Sequence, residues 1–251
     1  MRFVRAMSST PTERLRKLVE NGIAKRFDLT AWARDTGCAQ PTALSRLEAT
    51  LEQIRPDVVK LIVMESLEGT GDEDLDTMVY GETNARAFLE FVNKYAKGAA
   101  GLDANAPGVF YDLGSGAGKS VVTAALSPYF RACYGIEILP CAHAIAECVI
   151  EDFLRDVAPR DDGVTPTVSA RLGDIFSDTS WTEADFVFCN CVTWDESTIA
   201  RLTQTASSMR SGSIFVTVLC PLAEPHAFDF IAEEEIAFSW GHVEALVYKK
   251  T

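Results

Sequence analysis

Val109-Phe110-Tyr111-Asp112-Leu113-Gly114-Ser115-Gly116-Ala117-Gly118-Lys119 runs an apolar, strand-forming segment into a glycine-rich turn that opens a helix. Glycine lets a backbone turn this sharply and approach a ligand this closely. The spacing is G-x-G-x-G, with Asp112 just ahead of the first glycine. It is neither the dinucleotide fingerprint G-x-G-x-x-G nor the phosphate loop G-x-x-x-x-G-K-[ST], although Lys119-Ser120 follows Gly118. An ordinary tight strand-to-helix turn is the plain alternative.

Two further acids lie downstream. Tyr134-Gly135-Ile136-Glu137 puts Glu137 at the carboxyl end of the next strand, 19 residues beyond Gly118. A carboxylate there accepts hydrogen bonds from both hydroxyls of an adenosine ribose. Arg171-Leu172-Gly173-Asp174-Ile175 ends a third strand and would set Asp174 beside the adenine amino group. The order D-x-G-x-G-x-G, an acid about 20 residues on, then Gly-Asp resembles the class I S-adenosylmethionine (SAM) methyltransferases. The sulfonium and ammonium of SAM suit an acidic crevice better than a pyrophosphate does.

The rest of the chain supplies the matching architecture. Strand-like runs at Val109 to Leu113, Ala132 to Ile136, Val168 to Leu172, Phe186 to Asn190, Ser213 to Leu219 and Ala245 to Lys249 alternate with helical stretches. The helices are expected at Lys119 to Leu126, Ala142 to Val157 and Ser197 to Met209. Strands joined by helical crossovers make a mostly parallel sheet covered on both faces. The expected class is α/β: the seven-stranded, Rossmann-like sheet of class I methyltransferases, preceded by an N-terminal helical unit. In that unit Thr10-Pro11-Thr12-Glu13 reads as a capping box, and an apolar period runs from Pro41 to Val63. The helix, glycine-containing turn and helix there also allow a DNA-binding helix-turn-helix. The acidic stretch Glu68 to Asp74 marks the expected boundary, with residues 1–74 as helical unit and linker and 75–251 as catalytic domain. A helix from about Asn84 to Tyr95 follows.

Composition narrows the function. There are 23 Lys and Arg against 36 Asp and Glu, a formal net charge of -13, which as a whole is no nucleic-acid-binding balance. The division is uneven: residues 1–60 carry net +4 and the remainder net -17. An acidic body favours a cationic substrate, and solubility alone also explains such a surface. No apolar run is long enough to span a membrane, and the chain start lacks an apolar signal region, so a membrane role is not expected. Seven cysteines, an odd number, fit reduced thiols, and the close pair Cys189 and Cys191 reads as packing residues, with no metal expected.

The fourth strand carries the acceptor side. Asp185-Phe186-Val187-Phe188-Cys189-Asn190-Cys191-Val192-Thr193-Trp194 ends in a polar residue followed by an aromatic one. Asn190 can accept a hydrogen bond from an amine, and Trp194 can line a channel for an aliphatic stem. Together with Val79-Tyr80-Gly81-Glu82-Thr83, Asp112 to Gly118, Tyr134 to Glu137, Gly173-Asp174-Ile175, Met209 to Val216, and Ser239-Trp240 with Tyr248, these stretches resemble the Dot-one (disruptor of telomeric silencing) family, non-SET histone H3 lysine methyltransferases. The likeness runs from about Val79 to the end of the sequence. This sequence has Cys191 where the family pairs a second Asn, Val192 where it has an aromatic, Lys119 where it usually has Gln, and Ile175 where it has Phe.

The resemblance implies methyl transfer from SAM to a protein lysine, with a core histone, histone H3 in the nucleosome, as expected acceptor and the nucleus as expected location, the cytoplasm being the alternative. It implies a cofactor site of Tyr80, Glu82, Thr83, Asp112, Gly114, Ser115, Gly116, Gly118, Lys119, Glu137, Asp174, Ile175 and Asn190. Asn190, Trp194, Tyr80 and Tyr248, with Trp240, are the expected acceptor channel. Any weak grip on nucleosomal DNA is expected from residues 1–60. The alternatives are a class I methyltransferase acting on a non-histone lysine protein or a small amine, and a non-catalytic SAM-binding subunit.

Overall fold

The computed structural model describes residues 42–52, 54, 59–60, 83–238 and 241–251. The expected helices before Pro41, the acidic stretch Glu68 to Asp74, and Tyr80, Glu82 and Trp240 lie outside the described residues.

A seven-stranded sheet organises these residues: β1 (Gly108–Leu113), β2 (Phe130–Glu137), β3 (Thr167–Leu172), β4 (Phe186–Cys189), β5 (Ile214–Val218), β6 (Phe228–Phe238) and β7 (Gly241–Lys250). Their order across the sheet is β3-β2-β1-β4-β5-β7-β6. The first five run parallel, and β7 is antiparallel to both neighbours. The chain order reverses at β1 and β4, so the carboxyl ends of these strands open a crevice where ligands bind.

The central strands are apolar on both faces because both faces are covered. Along β4, Phe186 and Phe188 enter one core while Val187 and Cys189 enter the other. The first core receives α1 (Ala43–Leu51), α2 (Ala85–Gly98), α3 (Lys119–Ala124) and α4 (Pro140–Asp152). The second receives α5 (Glu196–Ala206) and the buried Trp181, whose indole N–H donates to the Ile175 carbonyl at 2.8 Å.

Caps and packing explain the helix boundaries. Asn84 caps α2 by accepting from Ala87 N at 3.1 Å, and Phe88 packs edge-on against Phe188 with centroids 4.9 Å apart. Thr42 caps α1, whose Ala43, Leu47 and Leu51 join the same core as Phe88 and Phe110. Arg46 of α1 donates to the carbonyls of Val157 (2.7 Å) and Pro159 (3.1 Å), and Asp161 accepts from Ala43 N at 2.8 Å. Thus α1 is fastened to the sheet-bearing body.

One strand departs from the expected set. The segment with Glu233-Glu234-Glu235 is not among the runs expected as strands, yet it forms the edge strand β6 against β7. Glu233 and Glu235 are exposed, whereas Glu234 accepts from Tyr95 Oη at 2.7 Å and from Lys94 Nζ. Charged residues on an edge also oppose pairing with another chain.

Candidate cofactor and acceptor site

The glycine turn follows β1 with Gly114 at φ +73°, Gly116 at +52° and Gly118 at +75°. A Cβ on Gly114 would meet nothing within 4 Å, so this glycine is there for its left-handed backbone and leaves open space over the turn. The turn is tied to β2, because the N–H groups of Gly114 and Ser115 donate to the Ile136 carbonyl at 2.9 and 3.1 Å. Gly135 on β2 is needed for another reason: a Cβ there would lie 2.5 Å from Ser115 Oγ. Ser115 is therefore seated directly on β2, and its buried hydroxyl has no hydrogen-bond partner.

Glu137 ends β2 and clamps the turn. One carboxylate oxygen accepts from Gly116 N at 2.7 Å and the other from Leu139 N at 2.8 Å. Burial pushes its pKa above the ordinary value, against the pull of these N–H groups. Asp112 is 2% exposed and pushed up to about 7, chiefly by burial; a Ser120 hydrogen bond opposes the rise and the like charge of Glu137 adds to it. A cation seated here would restore the ionised form. Asp174, beyond β3, accepts from Phe176 N (2.9 Å) and Ser177 Oγ (3.0 Å), which shapes the turn around it. Glu137 is in register with Leu172, so the acids stand at neighbouring strand ends.

Two apolar residues overlooked in the sequence flank this row. Ile138, next to Glu137 in the chain, is 62% exposed, and Leu172, in register with Glu137 on β3, is 52% exposed, so large apolar surface lies open at these strand ends. The readable signal was an apolar residue directly after an acid at a strand end. Phe176 was also missed. Its ring lies 6.5 Å from Trp194, and the Arg201 guanidinium sits 4.1 Å from its centroid.

At the end of β4 the side-chain oxygen of Asn190 is buried with no hydrogen-bond partner. Such an atom is costly to leave unpaired, as it is for Asn93 Oδ1 and His143 Nδ1 elsewhere in the fold. Trp194, half-buried, follows in the turn that leads to α5, with its N–H donating to the Cys191 carbonyl at 3.0 Å.

Residues 73–249 match the sequence model of the family described as histone methylation protein DOT1. The chain belongs to the DOT1 family. Membership brings the class I methyltransferase fold described above and S-adenosylmethionine as methyl donor. The residues present fit that donor: a glycine turn with open space over it, buried carboxylates at the ends of β1 and β2 in Asp112 and Glu137, and an unpartnered hydroxyl on Ser115.

Solved structures with a similar chain path include an RNA methyltransferase from Salinibacter ruber in complex with S-adenosyl-L-homocysteine, with 22% identity, TM-score 0.45 and coverage of 64% of this chain and 91% of that one. Another is the magnesium protoporphyrin IX methyltransferase of Synechocystis with bound SAM, with 14% identity, TM-score 0.45 and coverage of 98% and 100%. These similarities leave the acceptor open. Comparison with curated proteins gives no match.

Other residues expected at the DOT1-type site have the following surroundings. Lys119 turns its ammonium to the Ile54 carbonyl, so its side chain ties α3 to the chain after α1. Ile175 is buried in the second core among Ile136 and Trp181. Tyr248 is 4% exposed on β7 opposite Phe215, and its hydroxyl accepts from Leu222 N at 3.3 Å. Thr83 forms a bridge with Phe238 at the end of β6, the opposite sheet edge from β3. Among the described residues no group of three or more His, Cys, Asp or Glu is placed to hold a metal ion, and no helix is long and apolar enough to cross a membrane.

Proposed function

We propose that this DOT1-family protein transfers a methyl group from SAM to the side-chain amine of a protein lysine, with a core histone, histone H3 in the nucleosome, as the favoured acceptor. The observation that carries this reading is the buried, unpartnered Asn190 oxygen at the end of β4. The family description supports a histone, and a histone acceptor implies a nuclear location. The acidic body, net -17 beyond residue 60, favours a cationic acceptor.

The donor supplies a methyl carbon already activated by its sulfonium. What remains for the protein is to hold donor and acceptor in line, about 3 Å apart, and to keep water out. Glu137 and the turn from Gly114 to Gly118 would hold the donor's ribose and methionine ends, and Asp112 would answer its positive charge. Asn190 accepts a hydrogen bond from the lysine amine and aims its lone pair. The amine must be neutral to attack, whereas a free lysine has a pKa of about 10.4. The Trp194 and Phe176 wall lowers that value by desolvation, and Arg201 behind Phe176 adds positive charge that disfavours the ammonium. Tyr80 remains a candidate for the channel. Loss of the proton to solvent meets the need for a base.

The test is to incubate the full chain and tritiated SAM with nucleosomes, free histones, total lysate protein and small amines in parallel. Label on a histone that disappears in Asn190→Ala supports the proposal. Label confined to another protein or a small amine changes the acceptor class, and SAM binding without any transfer makes the protein a binding subunit.

A further inference from the structure

Three thiols crowd the ends of β4 and β5 and have no part in the chemistry above. Cys189 and Cys191 alternate with Asn190 along the chain, and both are fully buried in the second core. Cys220, half-buried, follows β5. Its thiol donates to the Cys191 carbonyl at 3.3 Å, while the Cys191 thiol donates to the Val218 carbonyl at 3.8 Å. Cys191 and Cys220 are thus joined through the Cys191 carbonyl, which accepts from the Cys220 thiol.

The backbone that delivers Cys220 is strained. Leu219 has φ +60°, and Cys220 N donates to the Val218 carbonyl at 2.7 Å across it, a γ-turn of the rarer positive-φ form. Leu219 itself is 41% exposed, so burial of its side chain does not account for the strain. The Thr217 hydroxyl donates to the Cys220 carbonyl at 2.6 Å and holds the far side of the turn. Strain of this kind persists where neighbouring structure enforces it, often at switch points. Here its effect is to bring the Cys220 thiol against the Cys191 carbonyl, next to Asn190.

We propose that Cys191 and Cys220 form a reversible disulfide that ties the end of β4 to the chain after β5 and so switches the acceptor site at Asn190. The switching rests on the acceptor reading of Asn190; the linkage does not. With hydrogen peroxide as oxidant, the Cys220 sulfur, the more exposed of the two, attacks one peroxide oxygen; the O–O bond breaks, one water leaves and a sulfenic acid forms. The Cys191 sulfur then attacks the Cys220 sulfur, the S–O bond breaks, and hydroxide leaves as a second water with the Cys191 proton. Two thiols and one peroxide thus give one disulfide and two waters. The neighbouring Cys189 thiol holds Cys191 below its usual range, which suits the sulfur that closes the disulfide, whereas burial pushes both Cys189 and Cys220 up, so exposure and not a lowered pKa selects Cys220 for the first step.

The experiment treats the full chain with equimolar hydrogen peroxide and maps tryptic peptides without reduction. Cys189 and Cys191 fall in the peptide 172–201 and Cys220 in 211–249, so fragmentation assigns the bond. The expected result is a Cys191 to Cys220 link, methyl transfer lowered at least fivefold and restored by dithiothreitol, SAM affinity within twofold of the reduced protein, and no peroxide sensitivity in Cys220→Ser. Separate oxidation of the two cysteines, a link through Cys189, or a link that leaves transfer unchanged would overturn the proposal. A reduced protein that transfers methyl to no acceptor would count against the acceptor reading instead, and the peptide map would still decide the linkage.

Discussion

Asn190 carries a buried oxygen with nothing to bind it, which makes its substitution diagnostic. An unsatisfied buried acceptor costs about 1–3 kcal/mol, so Asn190→Ala removes a penalty together with some packing. The expected outcome is a melting temperature unchanged or higher, SAM affinity unchanged, and methyl transfer down at least tenfold. A loss of stability in calorimetry would make Asn190 an ordinary structural residue. Asp112 gives a second residue-scale prediction. Its folded pKa, about 7, lies above the ordinary 3.8, so the folded chain holds a proton that the unfolded chain has released. Stability is therefore fully present near pH 4 and falls as pH rises through 7. The positive charge of SAM favours the ionised carboxylate, so binding releases a proton. Titration calorimetry should show affinity rising about tenfold per pH unit from pH 5 to 7 and levelling above. A flat profile would remove Asp112 from the cofactor's charge; Asp112→Asn should be flat by design.

At the scale of elements, the glycine turn and the end of β2 form one unit, and Gly135 is its tightest point. A Cβ there would stand 2.5 Å from Ser115 Oγ and 2.7 Å from its Cβ. Gly135→Ala should destabilise the fold by about 1–3 kcal/mol through overpacking and displace Ser115, with weaker SAM binding in the folded fraction. Thermal unfolding together with calorimetry checks both; unchanged values for each would show that the turn is not seated on β2. This unit was legible because its signals are local: Asp112, three glycines and Glu137 declare themselves by spacing. Six of the seven strands, the five parallel ones and β7, were legible for the same reason, since strands covered on both faces read as apolar runs. The strand β6 was not, because Glu234 serves Tyr95 and Lys94 across α2 while its neighbours face water, a pairing invisible along the chain. The partners of Tyr248 and Lys119 were not legible either, because the Tyr248 hydroxyl meets Leu222 N and the Lys119 ammonium meets the Ile54 carbonyl, 65 residues away. The orphaned oxygen of Asn190 depends on everything packed around it.

For the whole molecule, charge and packing divide the N-terminal segment. The surplus of net +4 lies within residues 1–41, since residues 42–60 are neutral in sum. By contrast α1, beginning at Ala43, is part of the main core and holds Val157, Pro159 and Asp161. Removing residues 1–41 thus takes away the basic surplus and keeps α1, whereas a cut at residue 60 would open the core. The truncated chain should keep its activity on free histones and lose activity on nucleosomes. Its loss should follow a salt slope near -3 for three or four phosphate contacts. Equal losses on both substrates would take the N-terminal segment out of DNA recognition.

The most direct measurement is mass spectrometry of core histones after incubation with the full chain and deuterium-labelled SAM, beside an Asn190→Ala control. Labelled methyl groups on a histone lysine, present with the natural chain and at least tenfold reduced with the control, are expected. Histones that stay unlabelled while the protein binds SAM, or label carried on a residue other than lysine, would contradict the proposed function.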